Sequence, residues 1–145
     1  MTTIYFDMDG TIANLYMNNW LEHLRAFHTK PYREAKTLVN AREFTKVVKE
    51  LQKQGYKIGI ISWLSKCNNK EYNKRVRIAK KLWLQKHFTK VDFDTIHIVK
   101  YGTNKNKFNN SDILFDDEEQ NRAKWNGINY NEKNIIETLK KLLTK

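Results

Sequence analysis

Apolar and polar positions along this 145-residue chain fall into blocks that read as strands separated by helices. The first block, Ile4-Tyr5-Phe6, runs into Asp7, Asp9 and Gly10, the pattern of a buried strand that closes in a turn. Residues 13–40 are helical but mixed: Trp20, Leu21, Leu24 and Phe27 share helical spacing, Pro31 interrupts them, and a second short helix is expected over 33–39. A cleaner helix is predicted over 41–54, with Phe44, Val47, Val48 and Leu51 on one face and Gly55 at its end. Residues 56–62 read as a second strand.

A long basic amphipathic helix follows over 68–88. Tyr72, Val76, Ala79 and Trp83 form its apolar side; Lys74, Arg75, Arg77, Lys80, Lys81 and Lys86 occupy its other faces and read as a solvated surface, with a nucleic-acid contact as the alternative. Further strands are expected over 95–99, 112–116 and 128–130, with a short helix over 118–125 that stops near Gly127. A last helix over 132–143 turns Ile135, Ile136, Leu139, Leu142 and Leu143 inward. This alternation predicts one α/β domain over 1–145: a doubly wound, Rossmann-like parallel sheet in a three-layer sandwich. In such folds, sites form at the carboxyl ends of the strands.

The chemistry-bearing residues fall at those ends. Residues two apart in a strand share a face, so Asp7 and Asp9 emerge together. Two like charges some 4 Å apart repel by roughly 4 kcal/mol at an effective dielectric near 20, which calls for a proton or a cation beside them. A calcium loop would need a third acid where Tyr5 stands. Ser62 ends the second strand, and Asp116 and Asp117 end the fourth. Asp117, Glu118 and Glu119 also suit the positive end of the following helix. Lys100, Lys105 and Lys107 surround the loop between the third and fourth strands.

The stretch Asp7-Met8-Asp9-Gly10-Thr11 resembles the first motif, Asp-x-Asp-Gly-Thr, of the haloacid dehalogenase superfamily of phosphatases. The resemblance extends through Ser62 as second motif, a lysine of the 101–108 loop as third, and Asp116-Asp117 as fourth. It implies that Asp7 is the nucleophile and Asp9 the general acid and base. Ser62 would bind a phosphate oxygen. Lys105 is the first choice for the charge-balancing lysine, Lys107 a close second and Lys100 a distant third. The substrate would meet Gly10, Thr11, Ser62, Trp63, Lys105 and Lys107. Mg²⁺ would be held by Asp7, the backbone carbonyl of Asp9 and Asp116, with Asp117 acting through water or orienting the lysine. Residues 13–40 fall where the family inserts a cap, here a small helical one. The pattern looks most like the small nucleotidase-type and phage-type members, with Asn121, Arg122 and Trp125 after the paired acids.

Charge widens the choice of substrate. With 27 basic and 16 acidic residues the net charge is +11, and the sequence pI is about 9.7. That balance favours anionic partners, nucleic acid among them, although scattered lysines serve solubility equally well. The expected activity is Mg²⁺-dependent hydrolysis of a phosphomonoester, with a nucleotide as substrate. Phosphorylated nucleic-acid ends, phosphotransfer to another acceptor, and a non-catalytic nucleotide- or nucleic-acid-binding role are the alternatives. Tyr16, Trp20 and Trp63 could stack on a base or simply pack. The single Cys67 excludes an internal disulfide. No leader pattern or membrane-length apolar run is evident, so a cytoplasmic protein without a membrane partner is expected. His23, His28, His87 and His97 lack metal-ligand spacing and read as surface or core residues. Oligomeric state is not set by these patterns.

Overall fold

Ile4 and Phe6 face one side of the sheet and Tyr5 the other, and all three are buried, as a central strand of a parallel sheet requires. The computed structural model describes residues 2–17, 19–131 and 133–144. In chain order it contains β1 (Thr3–Phe6), β2 (Ala13–Asn14), α1 (Trp20–Arg25), α2 (Lys30–Glu34), β3 (Lys36–Thr37), α3 (Ala41–Lys53) and β4 (Lys57–Trp63). After these come α4 (Lys70–His87), β5 (Thr95–Val99), a 3₁₀ turn (Lys105–Phe108), β6 (Ile113–Phe115), α5 (Glu119–Lys124), β7 (Ile128–Tyr130) and α6 (Ile135–Leu142).

The main sheet has the order β5-β4-β1-β6-β7, and every pairing in it is parallel. The fold is therefore the expected α/β, Rossmann-like one. Its two faces are unequal. Ile4, Phe6, Ile58, Ile60, Ile113 and Phe115 pack under Phe44, Val47, Val48 and Leu51 of α3, Trp83 of α4, and Ile135 and Leu139 of α6. On the opposite face the buried cluster is small: Tyr5, Ile61 and Leu114 pack with Trp125 and Phe108. The connections there are a four-residue 3₁₀ turn and the six-residue α5. Gly59 is needed on this thin side: a Cβ would lie 2.7 Å from the Tyr5 ring and 2.5 Å from Thr95 Oγ1.

Side-chain caps set the two long helices. Asn40 accepts the Glu43 amide at 3.0 Å, and Asn69 accepts the Tyr72 amide at 2.9 Å, each satisfying an orphan donor of the first turn. Between β1 and α3 the chain departs from expectation. Pro31 does not stop a helix; it sits in the first turn of α2, where a missing N–H costs nothing. The helix expected over 33–39 is replaced by β3, which pairs antiparallel with β2. This segment leans on α4: Leu15, Leu24 and Tyr32 pack with Tyr72, Val76 and Ala79, and the Tyr72 hydroxyl donates to the His28 carbonyl at 2.9 Å. The last helix begins at Ile135, later than expected, and Glu132 lies outside the described residues. Among the described residues no helix is long and apolar enough to cross a membrane.

Candidate active site

The site grows from the carboxyl ends of β1, β4 and β6. The Asp7 amide continues the sheet by donating to the Phe115 carbonyl at 2.9 Å. The chain then folds tightly over Met8, whose carbonyl accepts the amides of Thr11, Ile12 and Ala13 at 3.1, 3.0 and 2.9 Å. Gly10 has φ +84°, and a Cβ there would stand 2.2 Å from Asp117 Oδ2. Only glycine meets both demands. Thr11 Oγ1 sits between the two acids, 3.3 Å from Asp7 Oδ2 and 3.5 Å from Asp117 Oδ1.

Lys105 is 2% exposed. Asn104 caps the turn that carries it by accepting the Asn106 amide. Its Nζ donates to Asp7 Oδ1 at 2.9 Å and to Asp116 Oδ2 at 2.7 Å. Burial alone would lower the Lys105 ammonium, but Asp7 and Asp116 outweigh it and hold it well above the ordinary lysine value. Lys107, the competing candidate, is exposed with its ammonium over the Phe108 ring, and Lys100 is exposed. Lys107, expected among the substrate contacts, does not line the cavity.

Asp116 is fixed from several sides. Its Oδ1 accepts the Glu118 amide at 2.9 Å, its Oδ2 accepts Asn121 Nδ2 at 3.1 Å, and its carbonyl accepts Arg122 at 2.9 Å. Burial, with Asp7 close by, pushes its carboxyl up to about 6 despite Lys105. Burial and Asp7 together push Asp117 up to about 8. Burial is the larger cause in both, and the crowding by Asp7 adds to it. One oxygen each from Asp7, Asp116 and Asp117 lies within 4.8 Å of the others. An all-oxygen carboxylate set of this kind fits a hard divalent cation such as Mg²⁺.

The Asp9 carboxyl stands apart from that group. It is raised by burial, against the opposing pull of Lys80. Lys80 Nζ donates to Asp9 Oδ2 at 2.7 Å, to Ser62 Oγ at 2.8 Å and to the Trp63 carbonyl at 2.6 Å. The expectation of a solvated Lys80 is overturned: it is 1% exposed. The signal was present in the sequence, because Tyr72, Val76, Lys80 and Trp83 share one helical stripe. Ser62 is fully buried, its oxygen accepting from Lys80 while its own proton stays free to donate.

A cavity of about 180 Å³ opens over Asp7, Asp9 and Lys105. Tyr16, Trp20, Leu24, Tyr32, Trp63, Leu64 and Tyr101 wall it, with Glu118 and Asn121 at one side. Trp63 is steadied by donating to the Thr103 carbonyl at 2.9 Å. Burial, then Asp9, raises the Tyr32 hydroxyl far above its ordinary value. Gly10, Thr11 and Ser62 shape the floor from behind; none of the three lines the cavity. Tyr32 and Tyr101 carry no motif, and Asn121, though part of the pattern after the paired acids, was not singled out from sequence as a site residue.

No protein-family model matches the sequence, and no curated protein matches it. Among solved structures the chain is similar to a D,D-heptose 1,7-bisphosphate phosphatase from Burkholderia thailandensis, with a TM-score of 0.60 and 12% identity over 100% of each chain. That likeness is one of fold. At this level it agrees with the haloacid dehalogenase-type resemblance of the Asp7–Thr11 stretch.

Proposed function

We propose that this chain is a Mg²⁺-dependent phosphomonoester hydrolase that works through an aspartyl-phosphate, with a nucleotide as its substrate. One observation carries the reading: Asp7 and Lys105 line a cavity, and Lys105 bridges Asp7 to Asp116 behind it, with Asp117 beside them. Three crowded carboxylates and a buried lysine are costly to assemble for packing alone. They suit a dianionic phosphoryl group bound together with a cation.

In this reading Asp7 attacks phosphorus and the ester P–O bond breaks. Asp9 gives its proton to the departing oxygen. Asp9 then takes a proton from water, the water oxygen attacks phosphorus, and the Asp7 carboxylate is released with inorganic phosphate. Lys105 holds phosphoryl oxygens and the nucleophile in one place. Asp7, Asp116 and Asp117 would hold Mg²⁺, which supplies charge neutralisation when bound. Residues 13–40 serve as a small cap within the single domain, bringing Tyr16, Trp20 and Tyr32 over the floor.

The aromatic wall supports a flat leaving group such as a nucleoside. The similar solved structure is, by name, a phosphatase; it supports the reaction class, and its substrate is not carried over. The net charge of +11 favours a second reading in which the phosphate caps a nucleic-acid end. The test is a phosphate-release screen over mononucleotides, sugar phosphates and phosphorylated oligonucleotides, with and without Mg²⁺. Mg²⁺-dependent release from mononucleotides supports the main reading. A steep salt dependence confined to oligonucleotides transfers the substrate to polymer ends. No release from any monoester leaves a binding protein.

A further inference from the structure

Lys80 stands 71 positions from Asp9, on a helix that no motif touches. Its ammonium has three protons and three acceptors: Asp9 Oδ2, Ser62 Oγ and the Trp63 carbonyl, at 2.7, 2.8 and 2.6 Å. It also lies 5.3 Å from the ring centre of Tyr32, on α2. The group is saturated and rigidly placed. Neither Lys80 nor Ser62 lines the cavity, whereas Asp9 does. Lys80 therefore grips the Asp9 carboxyl from behind, by one oxygen. Among the described residues Asp9 Oδ1 has no protein donor.

We propose that Lys80 is a positioning residue for Asp9: by holding Oδ2 it aims Oδ1 at the oxygen of the leaving group. The inference rests on the phosphomonoesterase reading of the site. In the step concerned the ester P–O bond breaks, the leaving oxygen takes the proton of Asp9 Oδ1, and Lys80 keeps all three of its own protons. Fold stability does not call for the Lys80–Asp9 pair as a whole, since a buried ion pair replaced entirely by well-packed apolar side chains of the same volume is often no less stable. An apolar residue at 80 would extend the stripe of Tyr72, Val76 and Trp83. The cation at this position serves the carboxylate it holds.

The test compares the full-length wild type with Lys80→Met on two esters, p-nitrophenyl phosphate and phenethyl phosphate, in Mg²⁺. The first leaving group departs without a proton; the second needs one. On the alkyl ester kcat/KM should fall about 100-fold, and on the aryl ester by less than about 5-fold, the spread expected when general-acid geometry is lost. A merely structural lysine would lower both alike. Should Lys80→Met melt below the assay temperature, Lys80→Gln is read by the same ratio of ratios. An equal loss on both esters, with the wild type active, overturns the positioning role alone. A wild type that turns over neither ester overturns the phosphatase reading on which it rests.

Discussion

Lys105 and Asp116 lie eleven residues apart and meet through a 2.7 Å ion pair, buried where β6 ends. The same ammonium reaches Asp7, 98 positions away, at 2.9 Å. One lysine thus holds two carboxylates that would otherwise repel in a medium poorer than water. Lys105→Met leaves both without a counter-charge. Removing one partner of a buried pair costs about 3–5 kcal/mol, so urea unfolding of the cation-free protein should show a loss of that size. Adding Asp116→Asn to Lys105→Met should recover part of it. An unchanged midpoint in the single variant would mean that the pair carries no such weight.

Asp7→Asn keeps the side chain's shape and removes its nucleophile. Turnover of p-nitrophenyl phosphate should vanish while the far-ultraviolet circular dichroism stays that of the wild type. Because Asp7, Asp116 and Asp117 group within 4.8 Å, Mg²⁺ should raise the melting temperature of the wild type progressively with concentration. Asp117→Asn should shrink that rise. A melting temperature indifferent to Mg²⁺ would count against the cation site.

Trp20 meets Tyr16 edge to face at 5.0 Å in the wall of the cavity. Stacking of a base on an aromatic side chain is worth about 1–3 kcal/mol. Trp20→Ala should therefore raise KM for a mononucleotide roughly tenfold and leave KM for glycerol phosphate nearly unmoved. Equal changes for both substrates would remove the base-stacking role.

His97 stacks on Phe108 with ring centres 4.2 Å apart. Burial, with Lys107 nearby, lowers its imidazole below the ordinary value of about 6.5. The unfolded chain then binds its proton at a higher pH than the folded one. The contribution of His97 to stability is present at neutral pH and is lost as the pH falls from about 6.5 through the lowered folded value. His97→Phe should reduce the drop in melting temperature between pH 7.5 and pH 5.5 relative to the wild type. An identical drop in both proteins would show that His97 does not titrate with folding.

Gly59 lies under the Tyr5 ring on the thin face of the sheet, where a Cβ would be 2.7 Å from that ring. Gly59→Ala must displace the Thr95 hydroxyl, 2.5 Å from that Cβ, and the Tyr5 ring, which packs edge to face with Trp125 at 5.9 Å. Overpacking of this kind costs about 1–3 kcal/mol, measurable by chemical denaturation. A stabilised variant would mean that Tyr5 has room to move.

The strands of the main sheet were legible because the chain there breaks into short, mostly apolar runs bounded by polar residues; β2 and β3, two residues each, carry no such run, and the pattern around them reads as helix. Ile4-Tyr5-Phe6 before Asp7 and Ile113-Leu114-Phe115 before Asp116 are two cases, and both runs lie side by side in the sheet. Residues 13–40 were harder. Short helices with few apolar positions leave no clear period, and Pro31 reads alike as a stop or a start. Lys80 was misplaced because charge was weighed above position: on the stripe of Tyr72 and Val76 a lysine is carried inward whatever its preference for water.

The sequence by itself determined the order of the five strands of the main sheet and of the helices from α3 onward, and which of those strands lead to Asp7, Ser62 and Asp116. Period and turn chemistry are local properties, written in neighbouring residues. Only the tertiary structure placed Lys105 rather than Lys107 against Asp7 and Asp116, brought Lys80 against Asp9, and gathered Tyr16, Trp20, Tyr32 and Trp63 around one cavity. The two lysine contacts join residues 71 and 98 positions apart. They are made by the pairing of β1 with both β4 and β6 and by the packing of α4, which no short stretch of chain contains.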